Sequence, residues 1–151
     1  MISKIPNRIN SLTLNANILI VGQLEEKLKL MIDNYLKNKE YLDFTDDSID
    51  ILNSALYGKF DVIIFVLDKK SYELFDKNMI LIPENAIFII NEEVYLNFKS
   101  KINSIYSLLI NPISEELLLN KIYGLLTIKE TNNLFKTKEK IVNKYQNSIV
   151  N

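Results

Sequence analysis

A chain of 151 residues, 48% hydrophobic and 25% charged, is long enough for one domain with a real core and is neither disordered nor fibrous in composition. Its 18 basic and 19 acidic residues leave a net charge of −1, so no overall field draws it toward nucleic acid or an anionic membrane. The lack of cysteine excludes disulfides, thiolate nucleophiles and thiolate-bound metal, and the lack of histidine removes the commonest metal ligand and the usual general base. Any chemistry must therefore run on Asp, Glu, Lys, Ser, Thr or Tyr. No run approaches the roughly 20 apolar residues of a membrane span, and the start has no secretory apolar core, so the expectation is a cytoplasmic protein with no membrane partner.

Residues 1–15 are polar, with Pro6 and several asparagines, and read as an irregular arm. Asn17 to Gly22 is a short β-branched run, a buried strand. From Leu24 to about Lys39, apolar residues recur at steps of three and four, the stripe of an amphipathic helix. Tyr41 to Thr45 alternates as a strand near a sheet edge does; Asp46, Asp47 and Ser48 then offer caps to a helix carrying Ile49, Leu52, Ala55 and Leu56, closed by Gly58. Residues 61–67 are almost continuously apolar, the pattern of a strand covered on both faces. A short helix follows near 70–77, then a strand at 86–91, a helix at 92–102, and a strand at 105–110 stopped by Asn111-Pro112. From Ser114 onward nearly everything reads as helix. Five strands alternating with helices imply an α/β fold: a parallel sheet with helices on both faces, in the flavodoxin-like order 2-1-3-4-5.

The order and spacing of these segments resemble the receiver domains of two-component response regulators. The resemblance runs from about Asn17 to Thr127 and rests on Asn17-Ile-Leu-Ile-Val, Phe44 to Leu52, Phe60-Asp-Val-Ile-Ile and Ile110-Asn-Pro-Ile-Ser114. It implies that the acidic pair which receivers use to hold magnesium falls on Gly22 and Gln23. The phosphoacceptor falls on Val66, the switch hydroxyl on Asn91 and the invariant lysine on Asn111. None of these positions carries the family's residue type. Phosphoryl transfer to a receiver needs a carboxylate nucleophile, a cation held by carboxylate oxygens and a positive group, so the resemblance implies the fold and withdraws the reaction. No catalytic residue, cofactor or metal is expected.

Competing readings are weaker. Asp68 is an alternative acceptor two residues beyond Val66, but reads better as a solvated loop carboxylate beside Lys69 and Lys70. An atypical enzyme built on Asp68 or Lys69 ranks lowest, since no orienting partner is visible. Gly22 lacks the further glycines of a dinucleotide-binding turn. Asp43, Asp46, Asp47 and Asp50 lack the glycine and terminal glutamate of a calcium loop and suit helix capping. The tyrosines are scattered without basic interleaving, so no stacking platform for nucleic acid is expected.

A receiver's last helix ends near Leu126 or Thr127, yet here Ile128, Phe135, Val142 and Ile149 continue at sevens, a partial coiled-coil signature. The chain is thus read as an arm (1–15), a receiver-like domain (16–127) and a helical extension (128–151) that links or dimerises, with a helix folded back onto its own domain as the alternative. The functional expectation is a degenerate pseudo-receiver of signal transduction: a phosphorylation-independent protein–protein interaction or dimerisation module. Its partner would be a signalling protein, an output domain or a second copy. The alternative is a small-ligand site in a neutral crevice at the strand carboxyl ends near Gln23, Asn91 and Asn111.

Overall fold

The computed structural model describes residues 15–53, 58–78, 80, 82–102 and 107–128. The strands are β1 (Asn17–Gly22), β2 (Asn38–Leu42), β3 (Val62–Leu67), β4 (Ala86–Ile90) and β5 (Leu108–Ile110). Between them run α1 (Glu26–Tyr35), α2 (Ser48–Asn53), α3 (Lys69–Lys77) and α4 (Glu92–Ile102), and the chain continues into α5, helical over the described residues 115–128. All strand pairs are parallel, in the order β2-β1-β3-β4-β5. This is the flavodoxin-like α/β layout expected from the alternation of strand and helix patterns.

Strand periodicity divides the core in two. Ile18, Ile20, Val62, Ile64, Ile87 and Ile89 face one side, where α1 and α5 cover them with Leu28, Met31, Ile32, Leu118, Leu119 and Ile122. The alternate residues Leu19, Val21, Ile63, Phe65, Phe88 and Ile90 face the other, under Leu52 of α2, Tyr72 and Phe75 of α3 and Val94 of α4. Because β1, β3 and β4 are covered on both faces, they read as unbroken apolar runs.

The departures from expectation lie at the edge. The helix read as reaching Lys39 stops at Tyr35: Leu36 adopts extended backbone (φ −118°, ψ 127°) while its N–H still donates to the Ile32 carbonyl at 2.9 Å. Leu36 plugs the core, and the chain enters β2 at Asn38 rather than Tyr41 because β2 pairs with β1 from Asn17↔Asn38 to Val21↔Leu42. Being half-solvated, β2 carries little apolar signal, and the alternation at Tyr41 to Thr45 misplaces it by three residues. Before α2 the Thr45 N–H donates to Ser48 Oγ at 2.9 Å, and that hydroxyl donates to the Thr45 carbonyl at 2.7 Å, which ties the turn that opens the helix. The expected positions 55, 56, 105 and 106 fall outside the described residues, as do the arm to residue 14 and the extension from residue 129, and β5, expected from 105, begins at Leu108 after the described Ser107. Asn111-Pro112 is a cis peptide bond.

One polar atom sits uneasily in this packing. Tyr35 Oη is buried with no hydrogen-bond partner among the described residues. Tyr35→Phe is therefore expected to leave stability unchanged or to raise it by up to about 1 kcal/mol, because an unsatisfied hydroxyl contributes only its desolvation cost. Urea denaturation measures this; a loss beyond about 1 kcal/mol would reveal a partner for the hydroxyl.

Candidate functional site

The carboxyl ends of the strands converge on one edge of the sheet. Register sets Gly22 beside Val66 and Val66 beside Ile89, while Asn91 and Asn111 follow the paired Ile90 and Ile110. The Asn111 N–H donates to the Ile90 carbonyl at 2.8 Å, fixing that corner. Gly22, Gln23, Val66, Asn91 and Asn111 all line one cleft of about 820 Å³, with Asp68 on its wall.

Each of the five positions has a local physical role. Gly22 has φ 106°, in the left-handed region, and a Cβ built there would overlap the Val66 carbonyl oxygen. No side chain fits at residue 22 unless the end of β1 moves away from β3. Gln23 Nε2 donates to Asp43 Oδ1 at 3.1 Å, a tie between the ends of β1 and β2. Val66 is half-buried and packs toward the face covered by α1 and α5. Asn91 Oδ1 accepts from the Val94 N–H at 2.8 Å and caps α4, a task that serine or threonine also performs. An asparagine here caps the helix without offering a hydroxyl. The magnesium that receivers hold does not fit this set: residue 22 has no room for a carboxylate, and residue 23 supplies an amide already bonded to Asp43. Among the described residues, no three acidic side chains are grouped to hold a metal ion.

Asp68, exposed between β3 and α3, is also the N-cap of α3. Its Oδ1 accepts from the Ser71 N–H at 2.8 Å and from Ser71 Oγ at 2.8 Å, while the Asp68 N–H donates to Ser71 Oγ at 2.8 Å, a reciprocal capping box opening α3. The Ser71 backbone and side-chain hydrogen bonds, with the nearby Lys70 charge, hold its carboxyl below the usual aspartate range. Because the folded value is depressed, the stability Asp68 contributes is full above the unfolded carboxylate pKa and is lost as pH falls through the folded one. Asp68→Ala is expected to cost about 1 kcal/mol and Asp68→Asn a few tenths, read by denaturation near neutral pH. The gap between Asp68→Ala and the unaltered chain should close in acid.

The floor of the cleft is neutral, as the sequence suggests, but its wall is not. Among the described residues, Asp43, Asp46, Asp68 and Glu73 stand there against Lys70 and Lys77. Sequence reasoning missed this wall, although Lys70, Leu74 and Lys77 lie at the one-face spacing of a helix. Ile128 is 59% exposed at the described end of α5, whereas Phe135, Val142 and Ile149 lie outside the described residues.

Comparison with known proteins adds no relative: no protein-family model, no curated protein sequence and no solved structure matches the chain.

Proposed function

We propose that the chain is a receiver-type module that works without phosphorylation, joining proteins of a signalling pathway in the cytoplasm, and that it is not an enzyme. The observation carrying this reading is the cleft: the positions assigned by the resemblance come together there, none offers a carboxylate or an ammonium group, and Gly22 has no room for one. Receiver chemistry lacks its nucleophile, its cation ligands and its positive charge at once.

The interaction is proposed to run through α4, β5 and α5, at one edge of the sheet. Leu96, Ile110, Leu117 and Ile128 are large apolar side chains exposed on these elements. Leu117 and Ile128 border a hollow of about 310 Å³ with Asn120, Lys121, Gly124 and Leu125. Exposed apolar groups that share a hollow, as Leu117 and Ile128 do, favour a protein partner, whereas single scattered ones need no explanation. Asn91, locked as the cap of α4, and Leu108, half-buried against the α2–α4 side, leave no mobile hydroxyl and aromatic to switch this face.

The self-association arm is directly testable. The full chain is expected to sediment as a reversible dimer at about 100 µM, and the Leu117→Asp/Ile128→Asp variant as a monomer with an unchanged circular dichroism spectrum. A full chain that stays monomeric removes the second copy as partner, and a variant that stays dimeric moves the interface off α5. Among the described residues no helix is long and apolar enough to cross a membrane.

A further inference from the structure

The space at the strand ends has two connected parts. A smaller hollow of about 440 Å³ shares Gln23, Val66, Ile89 and Asn111 with the larger cleft. The shared floor is apolar, formed by the half-buried Val66 over the fully buried Ile89, and it lies at the β1/β3 switch point, where open parallel sheets bind their ligands. Around the floor stand the carboxamides of Gln23, Asn91 and Asn111, with Glu25 at the smaller hollow and the charged wall beyond. Asn91 commits Oδ1 to the Val94 N–H, which leaves its NH2 group as a donor. Gln23 commits Nε2 to Asp43, which leaves Oε1 as an acceptor. Asn111 follows β5 as Asn91 follows β4, so their backbones lie about one strand spacing, roughly 5 Å, apart.

An apolar floor edged by carboxamide donors and acceptors suits a planar heterocycle that has a donor next to an acceptor, as when asparagine or glutamine reads an adenine edge. Charge decides against a phosphorylated form. Carboxylates outnumber lysines on the wall, and the N-termini of α3 and α4, the natural anion sites, are already satisfied by Asp68 and Asn91.

We infer that the cleft binds an uncharged, nucleoside-like heterocycle, with the carboxamides of Asn91 and Asn111 at its hydrogen-bonding edge and Val66 and Ile89 beneath it. The site borders the α4–β5–α5 face at Asn91 and Asn111 but needs no partner protein, so a failure to bind nucleosides leaves the interaction reading untouched. Adenosine, guanosine, cytidine and uridine, each titrated into the ¹⁵N-labelled full chain to about 1 mM, provide the test. At least one is expected to shift the side-chain amide signals of Asn91 and Asn111 saturably, with its 5′-monophosphate binding several-fold more weakly. Asn111→Leu should weaken that binding by about tenfold, while Lys37→Ala, exposed before the amino end of β2, should leave it unchanged. The inference is overturned if no nucleoside gives saturable shifts, if the shifts map away from residues 91 and 111, if the monophosphate binds as well or better, or if Asn111→Leu binds normally.

Discussion

Replacing Phe65 by alanine is expected to lower the free energy of unfolding by about 3–5 kcal/mol, a large part of the roughly 5–15 kcal/mol that holds a domain of this size together. Phe65 is fully buried on the central strand. Its ring stacks on Phe88 at 4.9 Å and meets Phe75 edge-on at 5.5 Å, and Phe75 in turn meets Phe88 edge-on at 5.5 Å. The three rings join β3, β4 and α3, so truncating the middle one opens a cavity that neighbours from two strands and a helix must fill. Phe65→Leu keeps most of the volume and forfeits the ring contacts, and should cost about 1–2 kcal/mol. Urea denaturation of both variants measures the difference. A loss below about 1.5 kcal/mol for the alanine variant would mean that the rings do not hold the sheet to α3.

Gly22→Asp is expected to cost about 3 kcal/mol and to create no magnesium site. The backbone at residue 22 has φ 106°, which disfavours every side chain, and the Cβ would overlap the carbonyl of Val66, whose strand is hydrogen-bonded to β1. Relief requires one strand end to shift, and backbone cannot swing aside as the tip of a flexible side chain can. Gly22→Ala separates the causes, since it adds the Cβ without the charge. If steric exclusion governs, alanine costs nearly as much as aspartate, and magnesium does not restore the stability of the aspartate variant. If the alanine variant is as stable as the unaltered chain, the exclusion argument fails.

The strands buried on both faces were legible because nothing in them competes with the apolar signal: β1 and α4 have the bounds read from sequence, and β3 and β4 differ by one residue. The edge strand β2 was misplaced because half of its side chains meet water and its register is set by β1 rather than by its own pattern. At the site, the sequence showed that a receiver's residue types do not stand at these positions, but not what the residues there do. The capping box of Asp68 and Ser71 is visible as a spacing of three at the start of a helix, and Asn91 before Glu92 carries a similar cue. The conformation of Gly22 is set by the closeness of Val66, 44 positions further along, and nothing local announces it. The charged wall also joins residues from separate segments, Asp43 and Asp46 after β2 and Lys70 and Lys77 on α3, which only the fold brings together.

The central claim, that the domain acts without phosphorylation, is tested most directly by exposing the full chain to acetyl phosphate, or to beryllofluoride, with magnesium. Intact mass and melting temperature are then read. The expected result is no phosphoryl mass increment and no magnesium-dependent rise in melting temperature with either reagent. A stoichiometric, magnesium-dependent adduct on Asp68 or any other residue, or a clear thermal shift with beryllofluoride, would contradict it.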